Sequence, residues 1–300
     1  MGRPTLRNVI ETAMAPAVWG GTYLLFTETL PATHPLTVGA YRSLIGGLLL
    51  FAVVRPARPA RADRARVLWL SLTNVTFFSA FLFLGASRLG GGLAATLIAT
   101  QPMVATLVAW PLLGHRPTPL GLGRALVGVA GVALLVGTAD TSPDLLGVLA
   151  ALGAAGSMGT GTVLLKRWQR LGTPEAVGAW QLIAGGALLV PAAVALEGPP
   201  PVPDIVNIAG FALLCTIGTA WSFAVWTRGA RALGEDAAFL GLLSPLVATC
   251  LGAWVLDEHL VGLQPAGAAL VLLAAAAGAL GARTKPMSTR RSGASLPSKG

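Results

Sequence analysis

Ten stretches of mainly apolar residues follow one another along the chain, and short segments rich in Pro, Gly and charged residues separate them. A helix that crosses a lipid bilayer needs about 20 such residues. The pattern therefore predicts an all-α integral membrane protein with ten transmembrane helices. The predicted spans are 13–30, 36–54, 67–87, 91–113, 119–138, 144–165, 174–196, 205–227, 236–256 and 263–282.

The composition excludes a soluble enzyme domain. The 300 residues are 54% hydrophobic and only 11% charged, whereas soluble domains contain about 25% charged residues. The longest polar link, residues 55–66, and the tail after residue 282 are both too short to hold a catalytic domain. Whatever the protein does, we expect it to act inside the membrane.

Most positive charges fall on one side of this predicted membrane. Eighteen of the 21 Lys and Arg residues lie in segments that share a side with the termini. Short loops with such an excess face the cytoplasm, so we expect a multi-pass protein of the cytoplasmic membrane with both termini inside the cell. The basic segments are 1–12, 55–66, 114–118, 166–170, 228–231 and 283–300, and the opposite loops carry Asp140, Asp144, Glu197 and Asp204.

The two halves of the chain repeat each other. Span two contains Gly39-Ala40-Tyr41-Arg42, and span seven contains Gly178-Ala179-Trp180-Gln181 at an offset of 139 residues. Spans four and nine carry Pro102 and Pro245 in matching contexts. Because each half has an odd number of spans, the two repeats enter the membrane from opposite sides. Inverted repeats of this kind are typical of transporters that alternate between two open states. We expect five-helix repeats over residues 10–138 and 144–282, and a basic cytoplasmic tail, disordered in our interpretation, over 283–300.

Several of these residues also resemble a known family. They are Trp19-Gly20-Gly21-Thr22, Arg42, Pro102, Pro245 and Leu256-Asp257-Glu258. Their order is similar to that of the drug/metabolite transporter superfamily, specifically its ten-helix EamA-type exporters, over residues 10–282. The resemblance implies export of small metabolites or drugs. His115 stands where the family usually has an acidic residue at the end of the fourth helix, so the first half departs from the pattern.

A set of polar and aromatic residues within the spans is our candidate substrate pathway. A small-ligand site usually combines an apolar lining with a few polar groups, although each of these side chains could equally serve helix packing. The symmetric prolines Pro102 and Pro245 predict two discontinuous helices beside this site, with simple kinks as the alternative. The predicted pathway residues are Trp19, Tyr23, Asn74, Phe78, Gln101, Thr162, Trp221 and Ser244.

Four charged residues form a second candidate set. Arg42 is the only cation well inside a span, and a lone charge in the membrane is costly. We therefore predict that Arg42 pairs with a carboxylate, with Glu28 as the first choice, and snorkelling of Arg42 to the headgroups is the alternative. Asp257 and Glu258 are predicted to form a salt bridge or gate at the rim.

The remaining chemistry points away from enzymes, metals and nucleic acids. The chain has no nucleophile–base motif, no clustered metal ligands and no phosphate-binding glycine loop, so no metal and no cofactor are expected. The expected partners are a small-molecule substrate and membrane lipids, with no nucleic acid, and a homo-oligomer stays open. A membrane-embedded enzyme for lipid-linked substrates and a helper subunit without transport activity are the alternative functions.

Overall fold

Ala- and Leu-rich segments, which favour helices, account for all the regular elements that the structure describes. The structure is a computed structural model and describes residues 5–30, 34–136, 144–200, 202–255 and 262–284. Two π-helical turns, Leu72–Phe77 and Thr216–Trp221, lie within the third and eighth predicted spans. The α-helices are α1 Leu6–Thr29, α2 Pro35–Val54, α3 Arg64–Ser71, α4 Phe78–Ile98, α5 Gln101–Leu113, α6 Pro119–Val136, α7 Leu145–Arg167, α8 Pro174–Glu197, α9 Ile205–Cys215, α10 Ser222–Leu233, α11 Ala237–Leu240, α12 Leu243–Val255 and α13 Gln264–Thr284.

These helices confirm the predicted all-α membrane fold. Seven stretches in the described part are long and apolar enough to cross a membrane, and α6 is a shorter apolar helix. The eighth span differs from its prediction, because α9, the π-helical turn and α10 continue as one helix to Leu233 rather than ending at residue 227. The tail from residue 285 onward lies outside the described residues.

Helices α2 and α8 pack against each other as equivalent members of the two repeats. A Cβ atom on Gly47 would lie 2.8 Å from the backbone N of Ile183, and one on Gly186 would lie 2.8 Å from the backbone N of Leu44. Leu44 and Ile183 are themselves equivalent, since both pairs are 139 residues apart. This reciprocal contact places a pseudo-two-fold relation between the repeats at the α2–α8 crossing. Glycine is required at both positions because the backbones approach so closely.

The same relation pairs the other helices. Helix α1 packs on α12 just as α7 packs on α5, and α6 packs on α13. The π-helical turns follow it as well: Gly46 lies against Thr219 in one turn, and Gly185 lies against Val75 in the other. Two inverted five-helix repeats therefore form one bundle.

Helix α4 covers the predicted connection between spans three and four. Its contacts with α7 nevertheless reverse direction. Phe81 lies against Gly153 and Leu89 against Gly147, so the chain first runs antiparallel to α7. The backbone O of Gln101 then lies 3.0 Å from a Cβ placed on Gly159, further down α7. The chain thus turns back between Leu89 and Gln101, and spans three and four are separate crossings.

The two ends of the bundle differ in charge. We call the end with residues 55–66, 114–118, 166–170 and 228–236 the basic end, and the other the opposite end.

At the opposite end the Glu197 carboxylate accepts hydrogen bonds from the backbone N–H groups of Leu36, at 2.6 Å, and Thr37, at 2.8 Å. The last residue of α8 therefore caps the first turn of α2, where backbone donors have no helical partner.

Candidate functional site

A cavity of about 490 Å³ occupies the centre of the bundle, and both repeats line it. Its walls come from α1, α2, α4, α5, α10 and α12, from both π-helical turns, and from single residues of α7, α8, α9 and α11. The lining is mainly apolar with a few polar side chains, as in small-ligand sites generally. The polar and aromatic residues that line it are Trp19, Thr22, Arg42, Ser43, Asn74, Phe78, Ser79, Phe83, Gln101, Thr219, Phe223, Trp226, Ser244 and Thr249.

The cavity lies in the middle of the bundle and in its opposite-end half. Val38, in the first turn of α2, and Ala86, two residues before the opposite-end Arg88, belong to its lining. A packed apolar cluster lies on the basic-end side and includes Leu165, Trp226, Leu233, Ala237 and Leu240. The cavity is therefore closed toward the basic end.

Two broken helices border the cavity at equivalent places. Turns at residues 99–100 and 241–242 precede α5 and α12. Pro102 and Pro245 lie in the first turns of these helices, where a backbone N–H would have no helical acceptor in any case, so neither proline costs a hydrogen bond. The sequence predicted the breaks at these prolines, and the structure shows that each break precedes its proline. The N-termini of α5 and α12, which carry partial positive charge, lie at the cavity wall.

The two π-helical turns also face the cavity, and they were not predicted. Asn74 and Val75 of the first turn and Gly218 and Thr219 of the second are part of the lining. A π-helical turn inserts one residue into an α-helix and often occurs at a functional site. Apolar periodicity cannot reveal such an insertion, because these helices are apolar on every side. The only signal in the sequence was polar residues, Thr73, Asn74 and Thr76, in the middle of an apolar span.

Asn74 belongs to a buried chain of amide groups that joins the two repeats. Its Nδ2 donates to Oε1 of Gln181 at 2.8 Å, and Nε2 of Gln181 donates to the backbone O of Val177 at 3.3 Å. Gln181, fully buried, is the repeat equivalent of Arg42. At this equivalent position the first repeat carries the Arg42 guanidinium and the second carries the Gln181 amide. The Gln181 amide links the two repeats through its hydrogen bond with Asn74.

Two tryptophans form the basic-end side of the cavity. The Trp19 and Trp226 rings are 5.4 Å apart between centroids and tilted by 55°. Trp19 Nε1 donates to the backbone O of Gly218 at 3.1 Å, which ties α1 to the second π-helical turn. Trp226 lies one residue before the predicted end of the eighth span, yet its side chain is buried, at 1% exposure. Helix α10 continues seven residues beyond Trp226, about 10 Å, so the residue is deeper than predicted.

The structure brings together five of the eight predicted pathway residues, namely Trp19, Asn74, Phe78, Gln101 and Ser244. Their role in binding stays a prediction. Thr162 is fully buried, but its hydroxyl donates to the backbone O of Met158 and it is not part of the lining. Trp221 is 39% exposed on the outside of the bundle and is not in the cavity. The sequence could not predict which face of its span carries Trp221, because the residues before it are apolar on every side.

The predicted charged residues are only partly described. Arg42 lines the cavity, as do Pro102 and Pro245. The side chains of Glu28 and Tyr23 lie outside the described part of the structure, and so do Asp257 and Glu258. Within the described residues, no group of three or more His, Cys, Asp or Glu side chains is placed to hold a metal ion.

Two inverted five-helix repeats around one central cavity define a multi-pass membrane transporter. The chain matches the EamA-like transporter family over residues 9–137 and again over 145–277. It belongs to this family, and therefore to the drug/metabolite transporter superfamily that the sequence resembled. The family contains transporters, which confirms the expected class and agrees with a protein that is not an enzyme.

Similar proteins support the same assignment. Protein PecM of Dickeya dadantii is 32% identical over 263 residues, covering 87% of this chain and 88% of PecM. A protein of Escherichia coli named as a probable amino-acid metabolite efflux pump is 25% identical over 281 residues, covering 89% and 92% of the two chains. A solved crystal structure of another protein superposes with a TM-score of 0.75 at 23% identity and covers 92% of this chain and 99% of its own, which shows the same fold.

Proposed function

We propose that this protein is a secondary transporter that exports a small molecule across the cytoplasmic membrane by alternating access. The observation that carries this proposal is the central cavity, to which both repeats contribute equivalent elements. Inverted repeats can exchange conformations, which turns a cavity open to one side into a cavity open to the other. The efflux pump among the relatives is consistent with the direction of transport.

The charge distribution supports the orientation. With the basic end in the cytoplasm, as the excess of Lys and Arg favours, both termini are cytoplasmic. The cavity then lies in the outer half of the bundle, and the cluster around Leu165, Trp226 and Leu240 closes the inner side. This arrangement corresponds to a state that releases substrate outward.

The lining favours a neutral, zwitterionic or moderately apolar substrate. Its polar surface consists of Ser and Thr hydroxyls and two side-chain amides beside aromatic rings, and Arg42 is the one charged residue among the described lining residues. The N-termini of α5 and α12 offer partial positive charge at the cavity wall. These N-termini complement the carboxylate of a zwitterion, and the C-terminal ends of the helices that stop at residues 99–100 and 241–242 complement its cationic group, so binding requires no carboxylate in the site.

A cavity-filling variant tests the proposal. Ala95 lines the cavity, whereas Ala52 is exposed on the outside of α2, so Ala95→Phe adds a ring inside the site and Ala52→Phe adds the same ring outside. The measurement is an untargeted comparison of the compounds in the growth medium. We expect cells with the wild-type protein or with Ala52→Phe to release a compound that cells with Ala95→Phe retain. Equal release by Ala95→Phe would contradict the proposal.

Vesicles that contain only the purified chain separate the alternatives. Transport of the compound identified in the medium, chemically unchanged, excludes a helper role. A chemically altered product would instead favour the membrane-embedded enzyme.

A further inference from the structure

The link between α2 and α3 carries an arginine at every third position. The four residues Arg55, Arg58, Arg61 and Arg64 are separated by Pro-Ala, Pro-Ala and Ala-Asp, and we call them the arginine stripe. A proline ring holds φ at about −65°, and Ala60 has φ −54° and ψ 149°, which is the polyproline II conformation with three residues per turn. The 3₁₀ turn that follows has the same repeat. The arginines therefore recur on one side of the link, about 9 Å apart in its polyproline II part.

The other side of the link packs on the bundle. Pro56 and Pro59 are half-buried, whereas all four arginines of the stripe are exposed. Trp180 of α8 donates a hydrogen bond from Nε1 to the backbone O of Ala57 at 3.1 Å. This bond and the two rigid proline rings hold the link in one place, so a ligand of the stripe meets a preorganised surface.

The first arginine of the stripe occupies a strained backbone position. Arg55 ends α2 with φ 46° and ψ 54°, and it is the one non-glycine residue with positive φ in the described part of the chain. Helices usually end with glycine in this conformation, because a Cβ atom makes it unfavourable. Strained positions of this kind cluster at functional sites. A cation is present here at a position that glycine would occupy more easily.

No carboxylate in the described part of the chain pairs with the arginine stripe. The acids at the basic end contact other side chains, in the pairs Asp63–Arg66, Glu175–Arg228 and Glu235–His115. The stripe thus presents four exposed guanidinium groups to an anion from outside the chain.

Apolar side chains on the outside of the bundle show the depth of the link in the membrane. Val53, two residues before the stripe begins, is 83% exposed, and Trp69, five residues after the stripe ends, is 55% exposed. Exposed apolar side chains of a membrane protein contact lipid, and tryptophan is enriched at the level of the headgroups. Five residues of helix correspond to about 8 Å. The stripe therefore lies in the headgroup layer at the basic end.

We propose that the arginine stripe is a binding site for the phosphodiester headgroups of anionic phospholipids such as phosphatidylglycerol. A guanidinium group binds phosphate through two parallel hydrogen bonds, which gives it a geometric preference for this anion. The spacing along the link lets successive arginines contact different headgroups. The site is separate from the central cavity, and the inference does not depend on the proposed transport function.

Quenching of tryptophan fluorescence by brominated lipids tests the assignment. The purified full-length chain is reconstituted into vesicles of equal parts phosphatidylcholine and phosphatidylglycerol, in which one or the other lipid carries bromine on its acyl chains. The signal of Trp69 is the difference between a protein and its Trp69→Phe variant. Trp254 near the opposite end, 83% exposed, is the internal control and is measured in the same way with Trp254→Phe. The ratio of quenching by the two lipids gives the lipid preference at each tryptophan.

The wild-type protein should prefer phosphatidylglycerol at Trp69 over Trp254 by about fivefold, the factor that one arginine near an anionic surface contributes. The combined substitutions Arg55→Gln, Arg58→Gln and Arg61→Gln should lower the preference at Trp69 nearly to the value at Trp254. Equal preferences at the two tryptophans of the wild-type protein would overturn the proposal.

A permuted variant separates the stripe from its net charge. Ala57→Arg with Arg58→Ala, and Arg61→Ala with Ala62→Arg, keep every charge on the link but move two arginines to other sides of it. All four positions are exposed. The permuted variant should lose most of the preference. If it keeps the full preference, charge alone attracts the lipid and the stripe is not a site.

A soluble competitor distinguishes a lipid from free phosphate. Glycerol 3-phosphate carries a phosphate group without acyl chains, and sodium chloride at equal ionic strength controls for screening. The two salts should lower the preference at Trp69 equally. A much stronger effect of glycerol 3-phosphate would show that the stripe is a site for soluble phosphate compounds, which contradicts the proposal.

Discussion

His115 Nδ1 and Glu235 Oε1 lie 2.9 Å apart at the basic end and join the two repeats. His115 follows α5 of the first repeat, and Glu235 lies in the 3₁₀ turn Gly234–Asp236 that precedes α11 of the second. The Glu235 side chain is only 6% exposed, whereas His115 is 40% exposed. Ala238 of α11 lines the cavity, so this contact holds a cavity-lining segment in place on the closed side.

Loss of this contact is expected to destabilise the closed basic end. His115→Ala leaves a buried carboxylate with one partner fewer, and the free energy of unfolding should fall by about 1–3 kcal/mol. Thermal unfolding of the purified protein measures the change. Arg7→Ala is the control, because the Arg7–Glu11 pair is solvent-exposed, with Arg7 85% accessible, and such pairs contribute little. Equal melting temperatures for His115→Ala and Arg7→Ala would contradict the prediction.

Two glycines on α7 give a matched pair of variants that test the packing of the buried Asn74 side chain. A Cβ atom on Gly161 would collide with the Asn74 side chain, whereas one on Gly156 would meet nothing within 4 Å. Gly161→Ala should therefore displace Asn74, lower the free energy of unfolding by about 1–3 kcal/mol and reduce transport. Gly156→Ala should leave both properties unchanged or raise stability slightly, since Ala favours helices more than Gly does. Similar behaviour of the two variants would show that Asn74 can move without cost.

The membrane fold was predictable because the length of the apolar stretches and the one-sided distribution of Lys and Arg can be read from the sequence without atomic detail. Pro102 and Pro245 indicated broken helices. The matching sequences around Arg42 and Gln181 indicated two equivalent halves. Trp221 shows the limit: the face that a helix turns inward depends on packing when every face is apolar. The π-helical turns and the Asn74–Gln181 bond were not predictable, because neither changes the apolar pattern of the spans.

Arg42 is predicted to pair with Glu28 across α1 and α2. Arg42→Ala should reduce folding or transport, and Arg42→Lys should retain part of both, because it keeps the charge but not the planar guanidinium. A double-mutant cycle with Glu28→Ala measures the coupling, which should reach about 1 kcal/mol in the free energy of unfolding. Additive effects of the two substitutions would exclude Glu28 and leave another outer acid as the partner, whereas a fully active and stable Arg42→Ala protein would favour snorkelling instead.

The orientation in the membrane has a direct labelling test. In a background with Cys250→Ser, a cysteine is introduced by Ala60→Cys at the basic end or by Pro199→Cys at the opposite end, both exposed positions. An impermeant thiol reagent applied to intact cells should label the Pro199→Cys protein and not the Ala60→Cys protein. Permeabilised cells, in which both should react, are the control. The reverse labelling pattern would invert the topology and turn the proposed export into import.

Energy coupling is expected to use acids at the rim rather than in the cavity. None of the described lining residues is Asp or Glu, and the acids that the structure buries, Glu235 and Asp236, lie at the basic end. If transport is driven by protons, Glu28, Asp257 and Glu258 are the predicted carriers. The measurement is uptake of the exported compound into inside-out vesicles, with and without an imposed pH gradient, in Glu28→Ala, Asp257→Ala and Glu258→Ala.

At least one of these three variants should transport without responding to the gradient, because a carrier that lacks its proton acceptor can still exchange substrate. The Arg7→Ala protein serves as the control and should keep the wild-type response. If transport depends strictly on the gradient and all three acid variants keep that dependence, the rim acids do not carry the proton. Glu235→Gln and Asp236→Asn then become the decisive variants, since these carboxylates lie on the segment that leads into cavity-lining α11.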